Sequence, residues 1–171
     1  MVSVWRCEIC GESYIGNEVP TQCPFCGVNR RFIKSARIAK ANFDLTLNES
    51  DLANVKHALM VELGNAGFYF CAAKNTDDEE GRAMFKALGK VESEHASIWK
   101  KILKLERVEV KPENCSKRNL ENLMESHNRE TKAIEFYKKA AQESKDLRLK
   151  QIFAALIEVE TDHLALSAQR M

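Results

Sequence analysis

Phe85-Lys-Ala-Leu-Gly-Lys-Val-Glu-Ser-Glu-His95 and Phe153-Ala-Ala-Leu-Ile-Glu-Val-Glu-Thr-Asp-His163 are the two stretches whose reading decides the fold. Each carries a Glu-x-x-His, Glu92 with His95 and Glu160 with His163, and the copies lie 68 positions apart. The same offset links Glu62 to Glu130 and Tyr69 to Tyr137. Glu and His three residues apart share one face of a helix. Four carboxylates and two imidazoles on repeated helical stretches are the ligand set of a two-metal site in a four-helix bundle.

Working outward, the apolar residues around these positions recur in steps of three and four, which predicts helices. The first runs over about 49–74, with a stripe through Leu52, Val55, Leu59, Glu62, Ala66, Tyr69 and Ala73. The second follows Thr76, which with Glu79 reads as a capping box; its stripe is Leu88, Glu92, His95, Trp99 and Ile102. The third begins near Ser116 and shows Leu120, Leu123, His127, Glu130, Ile134, Tyr137 and Ala141. The fourth follows Ser144 and shows Phe153, Leu156, Glu160, His163 and Leu166. Glu62 and Glu92 lie 15 residues on either side of position 77, and Glu130 and Glu160 lie 15 on either side of position 145. In antiparallel hairpins all four then sit level, about 22 Å from the turns at about 1.5 Å per residue. The link from about 106 to 115 is longer than a turn needs. Ten extended residues reach about 33–36 Å, enough for a crossover along the bundle that leaves the second and third helices parallel.

Four carboxylates inside apolar stripes would repel one another and would each be costly to bury unpaired. No lysine or arginine on the stripes compensates them. Two divalent cations do, with the histidines binding neutral. Mixed oxygen and nitrogen ligation suits iron or manganese better than zinc. Tyr69 and Tyr137 lie two turns beyond Glu62 and Glu130 on the same faces, placed to hold carboxylate ligands of other helices. His127 reads as a core or end-of-site residue, and His57 falls off the stripe and reads as exposed.

A second metal signature lies upstream. Cys7-x-x-Cys10 and Cys23-x-x-Cys26 are each followed by glycine, Gly11 and Gly27, which lets the backbone fold back toward sulfur. Residues 1–34 are too few to bury a core unaided, and a metal is the usual staple. Tetrathiolate iron and tetrathiolate zinc fit the spacing equally; beside a redox pair of metals, iron is the better reading because zinc shuttles no electron. Residues 35–46 read as a linker and 47–171 as the bundle. Cys71 and Cys115 read as incidental thiols.

Bulk composition narrows the remaining classes. Lys and Arg total 26 against 25 for Asp and Glu, so nothing in the charge balance points to nucleic acid. No run is long and apolar enough for a membrane span, and the N-terminus has no apolar signal region. The expected setting is cytoplasmic, where paired cysteines mean metal.

These residues resemble the rubrerythrin family. Trp5-Arg-Cys-Glu-Ile-Cys-Gly11, Tyr14, Pro20 and Cys23-Pro-Phe-Cys-Gly27 look like its rubredoxin-like module, and 47–171 looks like its ferritin-like module, here in the reverse of the usual order. The resemblance implies a mainly α fold: a ferritin-like four-helix bundle with a small N-terminal rubredoxin-like four-cysteine module. It implies that Cys7, Cys10, Cys23 and Cys26 bind one iron and that Glu62, Glu92, His95, Glu130, Glu160 and His163 bind two. It implies reduction of hydrogen peroxide to water, with electrons from an NAD(P)H-dependent reductase or a rubredoxin. A homo-oligomer that brings one chain's rubredoxin-like iron near another's di-iron centre is also implied. The competing functions are a ferroxidase or iron-handling protein, a di-iron O2 reductase, and a zinc-binding module. One departure stands out: the family's further ligand Glu, one turn after Glu130, is Ala133 here, and its repeat partner is Asn65.

Overall fold

A computed structural model describes residues 1–171. Four long helices form the body: α1 (Glu49–Asn75), α2 (Glu79–Ile102), α3 (Asn119–Glu143) and α4 (Leu147–Ala168). Three short strands precede them: β1 (Ser3–Cys7), β2 (Ser13–Gly16) and β3 (Ile33–Ser35). The strands make an antiparallel sheet in the order β2-β1-β3, with Trp5 opposite both Tyr14 and Ser35. A one-turn 3-10 helix, Arg30–Phe32, leads into β3. No helix is long and apolar enough to cross a membrane.

The 68-residue repeat survives into the caps, though two residues away from where local sequence puts them. Asp78 and Asp146, not Thr76 and Ser144, cap α2 and α4; their side chains accept from Gly81 N at 2.5 Å and from Leu149 N at 2.8 Å. Thr76 and Ser144 instead close α1 and α3, their N–H groups donating to Ala72 O and Ala140 O, each at 3.0 Å. A cap of this kind stabilises a helix by about 1 kcal/mol. Asn48 caps α1, accepting from Asp51 N at 2.8 Å. Ser116 does not cap α3, and Leu120 is exposed rather than on the core stripe. The N–H of Asn119 donates to the Asp77 carboxylate at 2.8 Å, so the start of α3 is served by a residue from the α1–α2 turn.

That contact also fixes the topology. The beginning of α3 sits beside the end of α1 and the beginning of α2, where Asp77 N also donates to Lys117 O at 2.9 Å. At the opposite end, Asn54 of α1 meets Glu143 of α3 at 3.3 Å. Hence α2 and α3 run parallel, and residues 103–118 cross the length of the bundle between them. The crossover lies tight on α1 at Gly67, where any Cβ would come within 2.2 Å of Lys111 O. Cys71 of α1 and Cys115 of the crossover form a disulfide, their Cα atoms 5.8 Å apart, contrary to the expectation of two incidental thiols.

Residues 36–48 are not a free linker. Phe43, Leu45 and Leu47 pack against the principal core, which runs unbroken from Cys7, Ile9 and Val28 of the small module into Val55, Trp99, Phe153 and Leu156 of the bundle.

The disulfide closes a 44-residue separation, so its removal should release considerable denatured-state entropy. Cys115→Ser is expected to lower unfolding stability by about 2–4 kcal/mol, measured by urea titration of the oxidised wild type and the variant. An unchanged midpoint would show that the crossover is held without it.

Candidate metal centres

The helices bring Glu62, Glu92, Glu130, Glu160, His95 and His163 to one level. All four glutamates and His95 are 0% exposed, while His163 is 8% exposed. Their ligand atoms fall into two quartets, each within 4.8 Å: Glu62, Glu92, His95 and Glu160 in one; Glu92, Glu130, Glu160 and His163 in the other. Glu92 and Glu160 belong to both. Glu62 with His95 belongs to the first alone and Glu130 with His163 to the second alone, the two terminal pairs of the cluster.

Both histidines turn Nδ1 to the carboxylates. His95 Nδ1 lies 3.1 Å from Glu160 and 3.4 Å from Glu92; His163 Nδ1 lies 3.0 Å from Glu160 and 3.1 Å from Glu92. The other nitrogen of His95, Nε2, faces Cys26 O at 2.9 Å, a bond that requires its N–H and leaves Nδ1 as the basic atom.

Two tyrosines cross-brace the terminal carboxylates. Tyr69 of α1 donates to Glu130 of α3, and Tyr137 of α3 donates to Glu62 of α1. Each hairpin thus holds the other's ligand. The hydroxyl of Ser126 also lies 2.9 Å from Tyr69 Oη. His127 stands in neither quartet. His57 is exposed, edge-on to Phe136 at 4.5 Å between ring centroids. Ala133 is buried and has no ligand atom, and Asn65 is buried with its amide nitrogen unpartnered.

Without cations the cluster is poorly satisfied. Glu62 Oε2, both Glu92 oxygens, Glu130 Oε2, Glu160 Oε1 and His95 Nδ1 are buried with no hydrogen-bond partner. Burial, then the charges of Glu92 and Glu160, hold the Glu62 and Glu130 carboxyls well above the usual carboxylate range. Burial opposes charge on His95 and His163, but the surrounding carboxylates outweigh it and hold both imidazoles well above their ordinary value. Protons do the neutralising that two divalent cations can do better, since each cation reaches several oxygens at once. The donor set therefore fits a pair of divalent metals, iron or manganese in type.

The four cysteines form the second centre. All are buried, with Cys7 Sγ and Cys26 Sγ 3.8 Å apart and Cys10 Sγ and Cys23 Sγ likewise 3.8 Å apart. A metal–sulfur bond of about 2.3 Å in a regular tetrahedron puts sulfurs about 3.8 Å apart, so the spacing suits one metal ion. Gly11 and Gly27 take φ of 86° and 75°, the conformation each Cys-x-x-Cys-Gly turn needs. Their N–H groups donate back to Cys7 O and Cys23 O, each at 3.0 Å.

The small module sits on its own bundle. Lys101 Nζ donates to Cys10 O at 2.7 Å and to Glu12 at 2.8 Å. Arg148 donates to Glu8 O and, at 3.2 Å, to Asn42 O. Arg31 pairs with Glu158, and Gln22 donates to Asp162 at 3.1 Å. Gly27 approaches α4 so closely that a Cβ would lie 2.9 Å from Val159 Cγ1. These contacts put the Cys26 carbonyl on His95, linking the two centres through one side chain. No residue pattern local to the cysteines or the helices signals this contact, since its partners are 69 positions apart.

Metal loading must expel the protons on Glu62, Glu130 and the histidines, so affinity should rise with pH. Anaerobic Fe(II) titration of the metal-free bundle site is expected to weaken by more than about tenfold per pH unit below neutrality, with proton release detected by an indicator dye. A pH-independent affinity would mean the carboxyls are already ionised.

Two family models match the chain: "Rubrerythrin, rubredoxin-like domain" over residues 5–33 and "Rubrerythrin" over residues 53–170. No curated protein matches it.

Proposed function

The chain belongs to the rubrerythrin family, and from that premise we propose that it reduces hydrogen peroxide to water at the bundle site with electrons relayed from the four-cysteine site. The reaction takes two electrons and two protons per peroxide and breaks the O–O bond. Iron bound in the two quartets would supply both electrons and Lewis-acid stabilisation of the departing oxygen. In this reading Glu62, Glu92, His95, Glu130, Glu160 and His163 would hold the pair, with Glu92 and Glu160 common to both quartets. Tyr69 and Tyr137 fix the terminal carboxylates against swinging, and the apolar stripes around them exclude bulk water.

The observation that carries the proposal is the contact of His95 Nε2 with Cys26 O at 2.9 Å. It gives an electron held at the cysteines a short covalent and hydrogen-bonded route to the bundle site. A module serving only to stabilise the fold needs no such contact with a ligand histidine. The route lies within one chain, so a homo-oligomer, which we retain as part of the proposal, is not needed to complete it. We retain the cytoplasmic setting as part of the proposal, although the Cys71–Cys115 disulfide is unusual there, and an NAD(P)H-dependent reductase or a rubredoxin would refill the cysteine iron.

The test is anaerobic. The iron-loaded protein is reduced until its visible colour bleaches, then mixed with stoichiometric peroxide or with O2. Peroxide should restore the colour faster than O2. Faster return with O2 would favour an oxygen reductase, and no return with peroxide would overturn the proposal. Glu92→Ala or Glu160→Ala is expected to abolish turnover while the cysteine-site colour survives, as followed by visible absorption and peroxide consumption. Loss of both together would show that the centres do not load independently.

A further inference from the structure

The bundle site has one open side. Of its six candidate ligand residues only His163 reaches solvent, and it lines an open cavity of about 530 Å³ beside α2 and α4. Met84, Leu88, Val91, Val159 and Leu166 form the walls. Ala83 and Ala87, small residues on the outer side of α2, leave the mouth wide. Besides His163, the polar lining consists of Arg170, which pairs with Glu80 at 3.2 Å, and Gln22, which donates to Asp162 at 3.1 Å.

Hydrogen peroxide is little larger than one water, whose share of liquid volume is roughly 30 Å³. It needs no cavity of this size, and its hydroxyls find no partners on these walls. Pockets of about 300–1,000 Å³ with apolar walls and a few convergent polar groups hold organic ligands. Here the convergent polar group is a candidate metal ligand, so the occupant should be polar at one end and hydrocarbon at the other.

We propose that the α2–α4 cavity binds organic hydroperoxides, with the hydrocarbon group on Met84, Leu88, Val159 and Leu166 and the peroxide oxygens directed past His163 to the bundle site. The inference rests on the peroxide-reductase reading and extends its substrate class. The O–O bond of R–O–O–H breaks, two electrons from the reduced iron pair enter, and two protons are taken up. The products are R–OH and water. The product alcohol has the same shape and polarity and should occupy the cavity without reacting.

The test pairs binding with turnover. Equilibrium dialysis of 2-phenylpropan-2-ol against the iron-loaded protein should show one saturable site per chain, weakened at least about tenfold by Ala87→Phe. Ala87 lies on an exposed helix face, so the variant should fold, as its cysteine-site colour would show; Ala83→Phe serves as a second block. In turnover, wild type should reduce cumene hydroperoxide. Ala87→Phe should lower kcat/KM for cumene hydroperoxide relative to that for hydrogen peroxide, again by at least about tenfold. Absence of saturable alcohol binding while hydrogen peroxide is still reduced overturns the inference and leaves the reductase reading standing. Alcohol binding without reduction of either peroxide overturns both. A dimer that excludes the alcohol and dissociates on Ala87→Phe also overturns the inference, because a second copy of the chain would then cover the cavity.

Discussion

Four carboxylates at one level in the interior of a helix bundle are the constraint on which the rest of the structure depends. Each is fully buried, and several of their oxygens have no protein partner. A buried charge left unpaired costs several kcal/mol even after the protein relaxes. Four of them would be untenable without neutralisation by protons or by metal. Everything close to the cluster serves the second solution. Both histidines present Nδ1 inward, two carboxylates are common to both quartets, and two phenols hold the remaining pair from across the bundle. Whichever cations occupy the site, the protein has built a frame whose stability and charge state depend on them.

The duplication explains why this frame is nearly symmetric, and the departures from symmetry show where the two halves differ. Tyr69 has Ser126 beside it, whereas Ala58 occupies the equivalent place near Tyr137. His95 is sealed under the cysteine module, whereas His163 opens into the α2–α4 cavity. One end of the ligand cluster thus faces the four-cysteine site and the other faces solvent. On the proposed reading, a symmetric ligand set in asymmetric surroundings would separate electron entry from substrate entry, so that the donor does not block the reactant.

What the sequence made legible was whatever repeats or is periodic. The offset of 68 marked the six side chains that the helices bring to one level and both tyrosines beside them, because helical heights follow from counting residues along a hairpin. The crossover was legible from its length. The cap positions were not. Thr76 and Asp78 both suit an N-cap, and local propensity could not tell that the turn keeps Thr76 for the end of α1. The start of α3 was illegible for a deeper reason: its first amide is satisfied by Asp77, 42 residues earlier, so no local pattern marks it. The Cys71–Cys115 bond escaped likewise, because those residues become neighbours only once the crossover turns back along α1.

The docking of the two modules was the part least written in the pattern and the one most consequential for function. A four-cysteine loop can staple itself with metal and stand alone, and the charges of Lys101 and Arg148 look like ordinary solvated helix ends. In the structure those two side chains donate to backbone carbonyls of the cysteine loop, and Gly27 gives up its Cβ to let Val159 approach. Carbonyl groups have no sequence signature, so a surface that recognises backbone cannot be read from its target. Yet that recognition is what carries Cys26 O to His95. The small residue in each turn is required first by the thiolate geometry, and at Gly27 it is required again by the interface. One position therefore couples the shape of the four-cysteine site to its distance from the bundle site.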